Sequence, residues 1–219
     1  MKIFKLVDRP NKALSNILLF VFTFIFIFLT PIFPDNWNSF MTNLLFSILF
    51  FTGIYALEKV RKTMIYLAII AFITQWTTII FDLRELIVVS EIINIIFFQI
   101  IIIRLIIQIA KNKEVTTGVI FESINGYLLM GIMFASWIAI LINFSPQAFN
   151  GLDPDIVKFP DIFYFTFVTL TTLGYGEITP QIPLAKSLSI LISTCGQLYI
   201  AIIIAMLVGK FASNQQKAE

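Results

Sequence analysis

Seven consecutive residues, Thr171-Thr172-Leu173-Gly174-Tyr175-Gly176-Glu177, hold the densest set of chemically useful groups in the chain. Two glycines, a tyrosine, two threonines and an acid crowd together between apolar segments. Glycine enters positive φ without steric cost, so Gly174 and Gly176 permit backbone angles that other residues avoid. A backbone freed in this way can present successive carbonyls on one side. Rings of such carbonyls can replace the hydration shell of a cation. Thr172 would add a hydroxyl at one end of the series. The same residues also suit a tight turn, because Gly-Tyr-Gly alone is a weak signal.

The elements that must position this stretch are apolar. Of 219 residues, 58% are hydrophobic and only 13% charged, and the mean hydropathy is +0.92. A soluble domain carries roughly 25% charged residues. Apolar runs repeatedly reach the roughly 20 residues a bilayer requires. The composition therefore predicts an all-α integral membrane protein. The chain has no histidine, which excludes histidine-based catalysis, metal binding and pH sensing. Its single cysteine, Cys195, cannot form an intrachain disulfide and reads as a packed thiol. No basic cluster suits nucleic acid, and no set of acids, Cys or Ser beside a base suggests an enzyme.

Six spans are expected, near residues 13–33, 37–57, 64–81, 86–110, 119–144 and 184–210. The basic N-terminus followed by an apolar run could be a signal peptide, but no small-residue cleavage site follows, so a retained helix is expected. The isoleucine-rich fourth span would suggest strand in a soluble protein; at bilayer length, only a helix satisfies its own backbone. Residues 161–172 are apolar but too short to cross, and predict a re-entrant helix leading into the glycine stretch. With both termini in the cytoplasm, eleven of the 15 basic residues lie inside, among them Lys59, Arg61, Lys62, Lys111 and Lys113. Asp35, Asp82, Glu85, Asp153, Asp155, Asp161 and Glu177 then lie outside. Positive-inside sorting favours this orientation and puts the glycine stretch on the outer face.

The string T-T-L-G-Y-G-E resembles the selectivity-filter signature of the potassium channel pore family. The stretch Phe163–Thr172 looks like that family's pore helix. Gly196-Gln197-Leu198-Tyr199-Ile200-Ala201 looks like the inner helix of small bacterial channels of the two-helix pore type. The resemblance runs from about Gly118 to Phe211. It implies a pore domain over residues 114–219, with a filter at 172–177, and a four-helix N-terminal domain over residues 1–113. It further implies potassium ions held by the carbonyls of Thr172, Leu173, Gly174 and Tyr175 and by the Thr172 hydroxyl, with Gly176 completing the filter. Tyr175 would point away from the ion into packing. One chain carries one pore loop, so three identical subunits are the implied partners, in a homotetramer surrounded by lipid. The implied location is the inner (plasma) membrane. Potassium is the permeant ion, and no cofactor is expected.

The chain departs from the family pattern behind the filter. Glu177 stands where an aspartate is usual, and Tyr164 and Phe165 replace the usual tryptophan pair. Val168 occupies a position that is an acid in some members. Glu177, Tyr164, Phe165, Val168 and Thr171 are therefore the expected filter support, with the Tyr164 hydroxyl the only group able to bond Glu177. Gly196 falls at the family's gating-hinge position; close helix packing is an equal reading.

The fourth span carries only Arg104, which argues against a conventional voltage sensor. Arg104 reads as a snorkelling residue, with an ion pair to Glu122 as the sharper alternative. Glu91 reads as an outer-interface residue rather than a proton site. Asn43, Gln75, Asn94 and Gln99 are expected to bond between helices. The phenylalanine-rich first span reads as lipid-facing or packed surface. The short tail leaves no room in this chain for a soluble ligand-binding domain. The function expected is passive potassium-selective conduction; the alternatives are a non-selective cation channel and a structural or enzymatic membrane subunit.

Overall fold

Each long apolar run folds as a helix, because a helix bonds its own backbone where water is absent. The computed structural model describes residues 12–32, 35–57, 62–81, 84–112, 114–152 and 159–215. Lys2, Lys5, Arg9, Lys113, the charged turn 58–61, Asp82, Asp153 and Asp155 lie outside them. Helix α1 (Lys12–Leu29) runs into a 3-10 turn, Thr30–Ile32. Then come α2 (Asp35–Ala56), α3 (Lys62–Ile80), α4 (Arg84–Lys111) and α5 (Thr117–Phe144). A short strand β1 (Phe149–Asn150), helix α6 (Phe159–Leu170), strand β2 (Thr179–Pro180) and helix α7 (Pro183–Gln215) complete the chain.

The chain is an all-α, multi-pass membrane protein. Four stretches are long and apolar enough to cross a bilayer: Ala13–Ile32, Val88–Lys111, Thr117–Phe144 and Pro183–Ser213. Phe40–Ala56 in α2 and all of α6 are shorter apolar helices. At 1.5 Å per residue the 12 residues of α6 span about 18 Å, well short of the ~30 Å hydrocarbon core.

Polar bonds and ring contacts set the packing. Gln75 Nε2 near the end of α3 donates to Asn43 Oδ1 near the start of α2 at 2.6 Å. Trp76 Nε1 donates to Ser47 Oγ at 2.9 Å. These two helices are therefore antiparallel. At the other end of the bundle, Glu122 is fully buried near the start of α5. Its carboxylate accepts from Asn16 Nδ2 of α1 (3.2 Å), Gln108 Nε2 of α4 (3.2 Å) and Asn112 Nδ2 (3.4 Å). Asn125 Nδ2 donates to the Asn16 carbonyl at 2.8 Å. Lys210 Nζ of α7 donates to the carbonyls of Ile109 and Ala110. The starts of α1 and α5 thus share one end with the finishes of α4 and α7.

Several sequence expectations change here. Among the described residues, amides reach Glu122 and Arg104 does not: Gln108, one turn further along α4, takes the place expected of the arginine. Asn43 and Gln75 bond between helices, but Asn94 Oδ1 is buried without a partner, and Gln99 lies on the exposed face of α4. Glu91 lies seven residues from the start of α4. Its Oε2 is shielded and unpartnered, with Ser136 of α5 beside the carboxyl. The first span is sided: Phe24 and Phe28 are exposed while Phe26 is buried. The Phe26 ring meets Phe46 of α2 at 4.6 Å and Phe163 of α6 at 5.1 Å, both edge-on.

The Glu122 network carries a stability prediction. Leucine at this position leaves buried amide donors without their acceptor, each at about 1–3 kcal/mol. Glu122→Leu is expected to lower the melting temperature of the detergent-solubilised protein well below that of wild type, with Glu122→Gln in between. Equal melting of Glu122→Leu and wild type would refute the network's structural role.

Candidate functional site

The site begins at the C-terminal end of α6. The helix is anchored by its aromatic side chains, with Phe163 against Phe159 at 4.6 Å and Phe165 against Phe149 of β1 at 4.9 Å. Phe165 is buried in that contact; it supports the loop over the site rather than the glycine stretch directly. Helical bonding then stops in a specific way. Thr171 Oγ1 bonds back to the Phe167 carbonyl at 2.7 Å. The Thr172 amide reaches Thr169 O at 3.0 Å, and the Val168 carbonyl accepts from both Leu173 N (3.0 Å) and Gly174 N (3.3 Å). Val168 therefore acts on the stretch through its backbone.

Beyond this knot the backbone alternates. Thr172 has φ 59°, Gly174 58° and Gly176 89°, while Leu173 and Tyr175 keep ordinary negative φ. Alternation of φ sign along a short stretch can turn successive peptide planes so that their carbonyls fall on one side. That is the arrangement a row of cation ligands requires. Thr172 is the one non-glycine residue with positive φ among the described residues. A threonine in that region is strained, and such strain clusters at functional sites. A Cβ on Gly174 or Gly176 would meet nothing within 4 Å. Backbone conformation, not crowding within the protomer, requires glycine there.

Behind the stretch, the Tyr164 hydroxyl bonds to the Glu177 carboxylate. That bond, with some desolvation and the nearby charge of Glu177, raises the Tyr164 pKa above the ordinary tyrosine value. Tyr175 is 67% exposed and Leu173 56% exposed, so the protomer alone covers neither side chain. The segment after Glu177 is clamped by β1 and β2, where Phe149 pairs with Pro180 and Asn150 with Thr179. Gly151 closes the clamp. It has φ 89°, and a Cβ there would collide with the Glu177 carbonyl oxygen.

Helix α7 lies under the end of α6. Gly196 packs directly on the Leu170 carbonyl, which a Cβ would strike. Next to it, Gln197 Nε2 donates to Thr172 Oγ1 at 3.2 Å. Tyr199 OH donates to the Ser123 carbonyl at 2.8 Å, which ties α7 to α5. Tyr127 OH of α5 reaches the Leu170 carbonyl at 3.4 Å. Gln197, Tyr127 and Gly151 are site residues for which sequence reasoning assigned no role. Gln197 was findable as an amide in an otherwise apolar run. Gly151 was not, since nothing in the loop pairs it with Glu177. Cys195, one residue before Gly196, is a free, half-buried thiol.

Residues 127–213 match the family described as "Ion channel". The match starts inside α5 and takes in α6, the alternating stretch and most of α7, so this part of the chain is an ion-channel pore domain related to potassium channels. Among curated proteins, the chain is similar to the two-pore potassium channel 4 of Arabidopsis thaliana, at 26% identity over 42% of this chain and 31% of the relative. It is also similar to a hyperpolarization-activated voltage-gated potassium channel of Methanocaldococcus jannaschii, at 49% identity over 17% of this chain and 18% of that one. The inward rectifier potassium channel Kirbac3.1 of Paramagnetospirillum magnetotacticum is 38% identical over 25% of this chain and 18% of its own length. The chain spans less than a third of the length of these relatives. No solved structure matches it.

Proposed function

We propose that the chain is one subunit of a potassium-selective channel that conducts passively through a fourfold pore. The observation that carries this reading is the alternation of φ sign across Thr172–Gly176, directly after a helix too short to span. Four copies would set the carbonyls of Thr172, Leu173, Gly174 and Tyr175 in stacked rings around an axis, with the Thr172 hydroxyls as the innermost ring. A dehydrated potassium ion would exchange water for these oxygens. The C-terminal end of α6, carrying partial negative charge, would face the cavity below and favour a cation there.

The homotetramer is supported by what one chain leaves uncovered. Helix α7 exposes Ile190, Leu198, Ile202 and Val208 along its length, and Tyr175 needs neighbours to hold the ring diameter. The six-span reading is supported by the antiparallel α2–α3 pair between α1 and α4. Both termini are placed in the cytoplasm, with the filter facing outward from an inner (plasma) membrane. The division at residue 113, between a four-helix domain and the pore, follows from the same reading, and Arg104 alone does not make a conventional voltage sensor.

The test is potassium or thallium flux in liposomes, with sodium/potassium reversal potentials. A reversal potential near the potassium equilibrium value supports the reading. One insensitive to the choice of cation selects a non-selective cation channel instead. The absence of flux from a reconstituted tetramer would overturn both.

Within this reading the Tyr164–Glu177 bond holds the outer end of the filter. Tyr164→Phe is expected to speed the time-dependent loss of conduction under sustained flux. The pH dependence follows from the raised tyrosine pKa. The bond contributes fully below the ordinary tyrosine value and is lost as pH rises through the raised one. Wild type should therefore lose conduction stability only at strongly alkaline pH, and Tyr164→Phe should lack that alkaline step. Identical decay of flux in both proteins would remove the bond from the account.

A further inference from the structure

The hydroxyl of Thr172 has left the bonding pattern of its neighbours. Thr166 Oγ1 donates to the Ile162 carbonyl at 2.7 Å and Thr171 Oγ1 to the Phe167 carbonyl at 2.7 Å, each one turn back. Thr172, with φ 59°, stands past the last turn of α6. Its side-chain oxygen is met from another element: Gln197 Nε2 of α7 donates to it at 3.2 Å.

Both ends of this bond are held by other contacts. The Thr172 amide is bonded to the Thr169 carbonyl at 3.0 Å, and the Leu170 carbonyl accepts from Tyr127 OH of α5 at 3.4 Å. On α7, Gly196 packs on that same Leu170 carbonyl, so closely that a Cβ would strike it. Tyr199 OH fixes the rotation of α7 through the Ser123 carbonyl at 2.8 Å. The amide of Gln197 is thus delivered to Thr172 by contacts on either side of it.

The pairing has a chemical consequence. A threonine hydroxyl has one hydrogen and two lone pairs, and a primary amide has two N–H donors and one acceptor oxygen. One amide N–H occupies one lone pair of Oγ1, which decides where the other lone pair and the hydroxyl hydrogen point. The second amide N–H and Oε1 stay available to water. A lysine or arginine at position 197 would also donate, but its charge would repel a cation at the same oxygen. A glutamate only accepts, and would take the hydroxyl hydrogen instead. A neutral amide orients the hydroxyl without adding charge. Further along α7, from Leu198 to Val208, Tyr199 carries the one side chain with an O–H or N–H, and that hydroxyl is used on α5.

We propose that Gln197 is a positioning residue for the innermost cation ligand: its amide holds Thr172 Oγ1 so that the remaining lone pair is presented to the ion. The proposal rests on the channel reading given above. Gln197 acts through the threonine rather than by touching the ion, and it sets how tightly the innermost ring holds potassium. A conducting site must bind well enough to be entered and loosely enough to be left, so this residue bears on affinity and turnover together.

The test compares wild type with Q197M, which keeps a long side chain but has no donor, and with T172V, which keeps the branched shape but has no hydroxyl. Two quantities are read for each: the potassium concentration that half-saturates liposome flux, and the one that half-saturates the rise in tetramer melting temperature. Q197M is expected to raise both about fivefold, the worth of one hydrogen bond. Its melting in potassium-free choline buffer should stay close to that of wild type, which a merely structural role would not allow. T172V should raise both concentrations as well, and Q197M/T172V no further than T172V alone, since the amide then has no oxygen to hold. The bond itself is read from side-chain amide signals of protein labelled with nitrogen-15 at glutamine. One signal should move when choline replaces potassium, and T172V should displace the same signal. Wild-type potassium dependence in a conducting Q197M tetramer overturns the proposal and leaves the channel reading standing. An effect of Q197M that adds in full to that of T172V does the same. If Q197M fails to assemble, the absence of any displaced amide signal in T172V overturns the proposal by itself. Absence of flux from the wild-type tetramer removes the channel reading, and the proposal with it.

Discussion

Gly174→Ala is expected to abolish potassium flux in liposomes while leaving the protein folded. Gly174 has φ 58°, in the left-handed region. An L-residue pays about 1–2 kcal/mol to remain there. In the proposed tetramer the substitution occurs four times around one axis, which sums to about 4–8 kcal/mol against the conducting geometry. Since 1.4 kcal/mol is tenfold in a population, the conducting state should fall by about a thousandfold or more. The cost is purely conformational, because an added Cβ would meet nothing within 4 Å. Melting temperature should therefore change little. Gly209→Ala supplies the control: its Cβ would also meet open space, but the residue is helical, where alanine is preferred. Flux in Gly174→Ala equal to that of Gly209→Ala would sink the assignment of the filter.

Gly196→Ala should act differently and separates two roles that the sequence left equal. A hinge glycine would tolerate alanine in one state and alter only the balance between states. A packing glycine would not tolerate it at all. A Cβ at Gly196 would strike the Leu170 carbonyl. Backbone cannot rotate away as a side chain can, so α7 or the end of α6 must move. Overpacking of this kind costs about 1–3 kcal/mol per chain. The displaced end of α6 carries the Thr169 and Val168 carbonyls that tie down Thr172, Leu173 and Gly174. Gly196→Ala is therefore expected to lower the melting temperature and the flux together. Unchanged melting with altered gating would establish the hinge and refute the packing role.

Much of the pore was legible in the residue order. The glycine string, the short helix before it and the long apolar runs are local patterns with direct physical meaning. Tyr164 as the partner of Glu177 could be reached by elimination, since it was the only hydroxyl offered by the pair that replaces two tryptophans. What escaped were contacts made across large sequence separations. Glu122 was weighed against Arg104, but Asn16, more than a hundred residues earlier, and Gln108 reach it. Gln197 lies 25 residues from the threonine it bonds, and nothing local points to that partner. Glu91 was read from its distance to a helix end, which says nothing about what the neighbouring helix places against it.

The sequence by itself determined that the chain lives in a membrane and where its helices lie, and it singled out the seven residues proposed to carry the chemistry. Those follow from hydrophobic run length and from glycine's freedom, which are properties of neighbouring residues. Only the tertiary structure decided that Gly196 is pressed onto a carbonyl, that Gly151 clamps the segment after Glu177, and that Glu122 is buried among amides from α1 and α4. Each depends on how two distant helices or loops meet. In a membrane that meeting is set by close packing and by pairing of buried polar groups, and neither leaves a periodic mark along the chain.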